Sequence, residues 1–348
     1  MKHIKRRGFL AFGGVLLAGA LTGNALAQAS KAGASQLDAL IAAAQKEGEV
    51  TVYSASPDTQ MRRVTGAFSA KYGIKASFVR LGSTLLQQRY SSEAEAGNIA
   101  ADILLNAGNA AKYAEECIAK GWAEPIGKAG IPTIDSGEYP ARFNRGVVTV
   151  VQITPWVIAY NTDRVKSADA PKTFKDALNP RFKNQIIMPD PRESDAYLDG
   201  LAVILADYGP EYFTQLLAQN PRIMPTSAVA VQSLGAGEGG IMFLTSVARA
   251  LEIKSKGGPV EIVFPESTSG IEIQAMLTNR AKAKHPSAGR LFAHYIMSQE
   301  GNRVYNDEPG GTSLYETAGL PKRYQSPKPE NLARKAELLK HLGLSLTK

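Results

Sequence analysis

Three times in the first third of the chain, a strand rich in β-branched residues runs into a short polar loop and then a helix, at intervals of roughly 25 residues. Glu49-Val-Thr-Val-Tyr-Ser54 leads through Ser54–Thr59 into a helix over about 60–71. Lys75–Leu81 leads through Gly82-Ser83-Thr84 into a helix over about 85–95, and Ala101–Asn106 through Ala107-Gly108-Asn109 into one reaching Lys120. A helix over 36–48 comes first, with apolar Leu37, Leu40, Ile41 and Ala44 at helical spacing. Such alternation predicts a parallel α/β sheet, whose ligands sit outside the carboxyl ends of the strands. All three loops consist largely of hydroxyl, amide and glycine residues opening a helix, where free N–H groups favour anions. Ser, Thr and Asn are also the ordinary helix N-caps. One loop alone therefore reads as capping, and the convergence of three points to a site.

A transition follows. Val147–Thr154, Pro155 and Trp156–Asn161 form a long β-rich stretch in which Pro155, lacking an N–H, predicts a break where the chain passes between two bodies. Beyond it, strands over 185–188, 239–244, 260–264 and 271–277 alternate with helices over about 195–207, 211–219, 226–234 and 245–256, a second α/β unit. The remainder is helical, over about 287–298, 299–305 and 329–342. No repeat of 20–50 residues appears.

Composition narrows the function. With 348 residues, 44% hydrophobic and 21% charged, the chain is neither disordered nor coiled coil and is long enough for two cores. Its one Cys excludes an internal disulfide, and Cys117, in a helical stretch, reads as a buried, inert thiol. Four scattered His argue against a His-built metal site. Residues 1–27 have the pattern of a cleaved export signal: basic Lys2, Lys5, Arg6 and Arg7, an apolar run from Gly8 to Leu21 too short to span a bilayer, and the small-residue site Ala25-Leu26-Ala27. Arg6-Arg7-Gly8-Phe9-Leu10 resembles a twin-arginine signal, though Lys5 and Ala11 depart from its preferences. Removing the signal takes the formal charge from +8 to +4, and no basic stripe with interleaved aromatics remains for nucleic acid.

Motifs spread over some 270 residues give the chain a family likeness. Glu49–Ser54, Ala101-Asp102-Ile-Leu, Ile158-Ala-Tyr160-Asn161, Leu178-Asn-Pro180-Arg-Phe-Lys183, Lys284-His285-Pro286-Ser-Ala288 and Ser298-Gln-Glu300-Gly301 occur in order. Together they resemble the periplasmic solute-binding proteins of ABC importers, in the branch of ferric-ion-binding proteins. The resemblance implies the type II periplasmic binding fold: two α/β lobes joined by crossing hinge strands. Lobe 1 would hold 28–153 with 271–310, lobe 2 would hold 154–270, and a C-terminal helical region, 311–348, would pack on both. It also implies closure on a small solute and its presentation to a membrane permease; with the export signal, the expectation is a periplasmic, non-enzymatic monomer without cofactor, released near Ala27. A receptor-coupled sensor would use the same binding chemistry.

The branch's iron binders use adjacent tyrosines in the second lobe. The corresponding stretch here reads Phe243-Leu244-Thr245-Ser246, which argues against a bare ferric ion and leaves a ferric chelate open. The inventory at the strand ends suits an oxyanion: Ser54, Ser56, Thr59, Ser83, Thr84, Asn109, Ser194, Thr245 and Ser246. Arg192 can clamp a carboxylate or phosphate, or pair with neighbouring Asp190 or Glu193. Trp156 can stack on an organic solute or pack at the hinge. The rival solute is a cationic amine held by Asp58, Asp190, Glu193 and Glu266. An exported enzyme is the remote alternative. No Gly-x-Ser-x-Gly, His-Glu-x-x-His or Cys-x-x-Cys is present, and the Gly-rich Gly235–Gly240 precedes a strand, unlike a nucleotide loop.

Overall fold

A computed structural model describes residues 35–307 and 311–346, so the expected export signal lies outside the described residues. Helix α1 (35–47) leads into β1 (Glu49–Ser54), α2 (Asp58–Tyr72), β2 (Lys75–Arg80), α3 (Ser83–Glu95), β3 (Ile103–Asn106) and α4 (Ala110–Ala119). β1 pairs in parallel with β2 and β3, as the threefold repetition requires. Short β4 (Ala123–Glu124) and α5 (Pro132–Asp135) precede the 13-residue strand β5 (Thr149–Asn161). The second unit runs β6 (Ile186–Pro189), α6 (Ala196–Tyr208), α7 (Glu211–Ala218), β7 (Arg222–Met224), α8 (Ser227–Gly235), β8 (Ile241–Ser246), α9 (Val247–Ser255) and β9 (Val260–Val263). The chain returns through β10 (Ser267–Thr268) and β11 (Gly270–Thr278) to α10 (Pro286–Met297) and α11 (Gln299–Asn306). It ends with β12 (Arg323–Tyr324), α12 (Pro329–Ala333) and α13 (Lys335–His341).

The strands form one sheet ordered β2-β1-β3-β11-β5-β8-β6-β7, with β4 on β11 and β9 on β5. β5 is common to both halves: Thr149–Pro155 pair with β11, and Trp156–Asn161 with β8 and β9. Pro155 does not break the strand, contrary to the sequence expectation. It stands where β5 exchanges partners, opposite Gly270, so its missing N–H interrupts no ladder. The next nitrogen, Trp156 N, donates to the Ser269 carbonyl at 2.9 Å. A Cβ on Gly270 would collide with the Thr154 carbonyl, so glycine lets the two crossing strands touch backbone to backbone.

Each half has its own apolar interior. In lobe 1, Phe68 packs edge-on against Phe292 and Tyr295 beneath one sheet face, while Leu86, Tyr90 and Cys117 fill the other. In lobe 2, Phe174 and Phe243 form the corresponding contact. Several motifs that carried the family likeness explain this packing. The buried Asp102 carboxylate accepts from Thr51 N and His285 N at 2.9 and 2.8 Å, tying β1 to the start of α10. Ser298 caps α11, and Gly301 passes so close to the Tyr295 carbonyl that a side chain there would overlap it. The C-terminal segment touches both halves: Leu314 lies in the lobe-1 core, β12 pairs with β10, and Leu338 and Leu342 lie in the lobe-2 core. The expected helix over 329–342 is divided at Arg334 into α12 and α13.

Candidate functional site

The lobe-1 wall of the cleft is the carboxyl edge of β1, β2 and β3. Here α2, α3 and α4 begin at Pro57, Gly82 and Asn109, and none has a side-chain cap. The hydroxyls that ordinarily cap helices are engaged elsewhere. Ser54 Oγ accepts from Ser56 N at 3.0 Å, and Ser56 Oγ lies 2.6 Å from the Tyr305 hydroxyl. Ser83 Oγ accepts from Ala107 N at 3.3 Å, and Asn109 Oδ1 from Gln87 Nε2 at 2.7 Å, lacing the second loop to the third. Thr59 and Thr84 are exposed in the first turns of α2 and α3. The wall therefore presents backbone N–H groups supported by cross-linked loops, with Asp58 as the acidic group in the α2 first turn.

The floor is the strand crossing. Trp156 is 2% exposed, with its ring stacked on Tyr197 at 4.9 Å and Nε1 donating to the Ala196 carbonyl at 3.3 Å. Its ring is therefore buried at the crossing, against Tyr197. Arg145 pairs with Glu272 on β11, whose carboxylate also accepts from the Tyr324 hydroxyl at 3.2 Å. Burial pushes the Glu272 carboxyl up, with Arg145 opposing. Asn106 and Gln274 face each other across β3 and β11; both amide atoms of Asn106 and the Gln274 Oε1 are buried without a partner. Neither is among the candidate residues expected from the sequence. Their signal was a polar side chain at the end of an otherwise apolar run, Ile103-Leu-Leu-Asn106, and at the alternating position of Ile271-Glu-Ile-Gln274.

The lobe-2 wall is built around β6, β7 and β8. Arg192 forks onto Asp190, Nε at 2.9 Å from Oδ1 and Nη2 at 2.8 Å from Oδ2. That pairing raises the guanidinium pKa further, with desolvation opposing. Glu193 places its carboxylate on the start of α8, accepting from Ser227 N at 2.7 Å. Ser194 is exposed. Ser246 caps α9, accepting from Arg249 N at 3.5 Å, and Thr245 Oγ1 is fully buried without a partner. Just before them Leu244 adopts φ 49°, a left-handed conformation that leucine rarely takes, where the β5–β8 register shifts. Gly200 of α6 makes room for it: a Cβ there would lie 2.6 Å from Leu244 Cδ2 and 3.3 Å from Trp156 Cδ1. Burial raises the pKa of the nearby Tyr197 hydroxyl; Glu193 pushes it the same way, while the Ser227 side chain and Arg249 oppose.

Among the described residues, no group of three His, Cys, Asp or Glu side chains could hold a metal ion. Polar loops at helix starts thus lie at the ends of β1–β3 and of β6–β8, on either side of the β5–β11 crossing, and form the candidate site.

Comparison with known proteins agrees with this fold. Residues 98–336 match the family model of bacterial extracellular solute-binding proteins. An uncharacterized protein of Haemophilus influenzae is 26% identical over 276 residues, covering 76% of this chain and 78% of that one. Iron-bound HitA from Pseudomonas aeruginosa superposes with a TM-score of 0.63 at 17% identity, covering 85% of this chain and 99% of HitA. The periplasmic binding protein AfuA from Actinobacillus pleuropneumoniae, with fructose-6-phosphate bound, gives 0.55 at 21% identity, covering 80% and 88%. Two lobes about a shared strand and a family match over most of the chain lead to one assignment: this chain belongs to the bacterial extracellular solute-binding proteins.

Proposed function

We propose that this protein captures a small anionic solute, bearing a carboxylate, phosphate or phosphonate, by closing its lobes, and delivers it to an importer permease. The observation that carries the reading is the set of three uncapped helix N-termini on the lobe-1 wall. Each leaves N–H groups that a solute oxyanion can satisfy, and the macrodipoles favour its charge. Thr59, Thr84 and Asn109 stand nearest those N–H groups in lobe 1, with Ser194, Thr245 and Ser246 opposite. Ser54, Ser56 and Ser83 support the loops, Trp156 supports Tyr197, and Arg192 contributes through its pair with Asp190. AfuA, the similar protein with a sugar phosphate bound, supports this class of solute.

A cationic amine suits the cleft less well. Asp190 already neutralises Arg192, and Glu193 already satisfies Ser227 N, so two of the acids it would need are occupied. Iron enters this reading only as an anionic chelate, because no adjacent tyrosines follow β8. Export as a folded monomer through the twin-arginine route, with release near Ala27, belongs to the same proposal.

Closure follows from linkage: a solute touching both walls only in the closed form shifts the population toward it. A thermal-shift screen of organic acids, sugar phosphates, phosphonates, polyamines and ferric chelates tests the class of solute, since stabilisation follows occupancy. An anion should raise the melting temperature and shrink the radius of gyration in solution scattering. Selective stabilisation by a polyamine would overturn the reading, as would an anion that binds at unchanged radius.

A further inference from the structure

The first turn of α9 breaks a local electrostatic rule. Helix N-termini favour acids, yet this turn holds no acid and carries Arg249, a cation set against the positive end of the helix. Arg249 is exposed and has no ion pair or side-chain hydrogen bond among the described residues. The acid one turn on, Glu252, acts on it only at longer range and is bonded to Lys256 at 2.6 Å. Such an unfavourable placement without compensation is expected where a missing partner supplies the opposite charge.

The register places the start of this helix beside the strand crossing. The buried Thr245 hydroxyl, unpartnered, lies at the start of the same helix. Ser246 sits opposite Trp156 in the β5–β8 register, Trp156 stacks on Tyr197, and Tyr197 lies within electrostatic reach of both Arg249 and Glu193. Glu193, seated on Ser227 N, shows that this wall accepts an oxyanion and that the chain's own carboxylate fills one such seat.

Resting on the anion reading above, we infer that Arg249, and not Arg192, is the lobe-2 cation that grips the solute, and that Glu193 is an internal placeholder which the solute's oxyanion displaces from the start of α8. Arg192 is already forked onto Asp190, whereas Arg249 has its full donor set to offer. Displacement releases Glu193 toward solvent and exchanges one carboxylate for another anion at the same N–H, so the net affinity reports a difference between two oxyanions.

The test uses the full-length mature protein with inorganic phosphate, glycerol 3-phosphate and citrate as probes. The chain has two tryptophans, so Trp122→Phe leaves Trp156, stacked beside the site, as reporter. Arg249→Gln should weaken the probe that binds by roughly tenfold or more, Arg249→Lys should restore part of the loss, and Glu193→Gln should tighten it by roughly threefold. The melting temperature of Arg249→Gln without probe should not fall, because the substitution removes a cation from a helix N-terminus. Unchanged affinity in Arg249→Gln for a probe that binds the parent protein overturns this assignment and leaves the anion reading standing. Weaker binding in Glu193→Gln overturns the placeholder role. If none of the three probes binds the parent protein, the anion reading falls and this assignment with it.

Discussion

His294 shows how one side chain writes a pH dependence into the whole fold. It lies on α10, 7% exposed, with Nδ1 unpartnered, and burial together with Lys71 pushes its pKa down to about 4. An unfolded histidine titrates near 6.5, so between about pH 6.5 and 4 the unfolded chain binds more protons than the folded one. Stability present above that window is therefore lost as the pH falls through it, by about 3 kcal/mol at most. Urea unfolding of wild type and His294→Leu across the window should show the steeper fall in wild type; parallel slopes would refute the assignment. At this scale the sequence displayed inventory and concealed partnership. The hydroxyls of the three lobe-1 loops were legible as polar strand ends, but nothing local reveals that Ser56 meets Tyr305, which follows it by 249 residues. Arg249 was hidden for another reason, since a single arginine in a helix reads as solvated surface.

Among the elements, β5 depends on a side chain far away in sequence. Asn302 of α11 donates to the Val151 and Ile296 carbonyls, each at 3.0 Å, and accepts from Leu314 N at 2.9 Å. It thereby joins two helices, the shared strand and the C-terminal segment. Asn302→Leu keeps the size and takes this partner from the Ile296 carbonyl and Leu314 N, at about 1–3 kcal/mol per group, while the Val151 carbonyl keeps Asn306 Nδ2 at 3.1 Å. We expect a loss of about 3 kcal/mol in chemical denaturation, and a change near zero would show that those groups find other partners. The strand–loop–helix order of both units could be read from periodicity because each step is local. The course of β5 could not. Proline legitimately predicts an interruption, and only the partner exchange opposite Gly270 makes it harmless. The left-handed Leu244 was equally hidden, because the space that allows it belongs to Gly200 on another element.

Across the whole molecule, motion and stability have different units. Closure as proposed would turn about the crossing, where backbone touches backbone, while the C-terminal segment runs from the lobe-1 core past β10 to Leu338 and Leu342 in the lobe-2 core. Leu338 is fully buried, and Leu338→Ala should cost about 3 kcal/mol. Because β5 belongs to both half-sheets, neither half can melt without stripping the other of a strand. Calorimetry should therefore give one transition, and Leu338→Ala should lower hydrogen-exchange protection around Phe68 in the opposite lobe as well as around its own site; two resolved transitions would contradict this. A hinged molecule of this kind bends as a pair and unravels as one. A defect far from the cleft thus reduces the supply of functional receptor as surely as a defect inside it, without altering how tightly the surviving molecules hold their cargo.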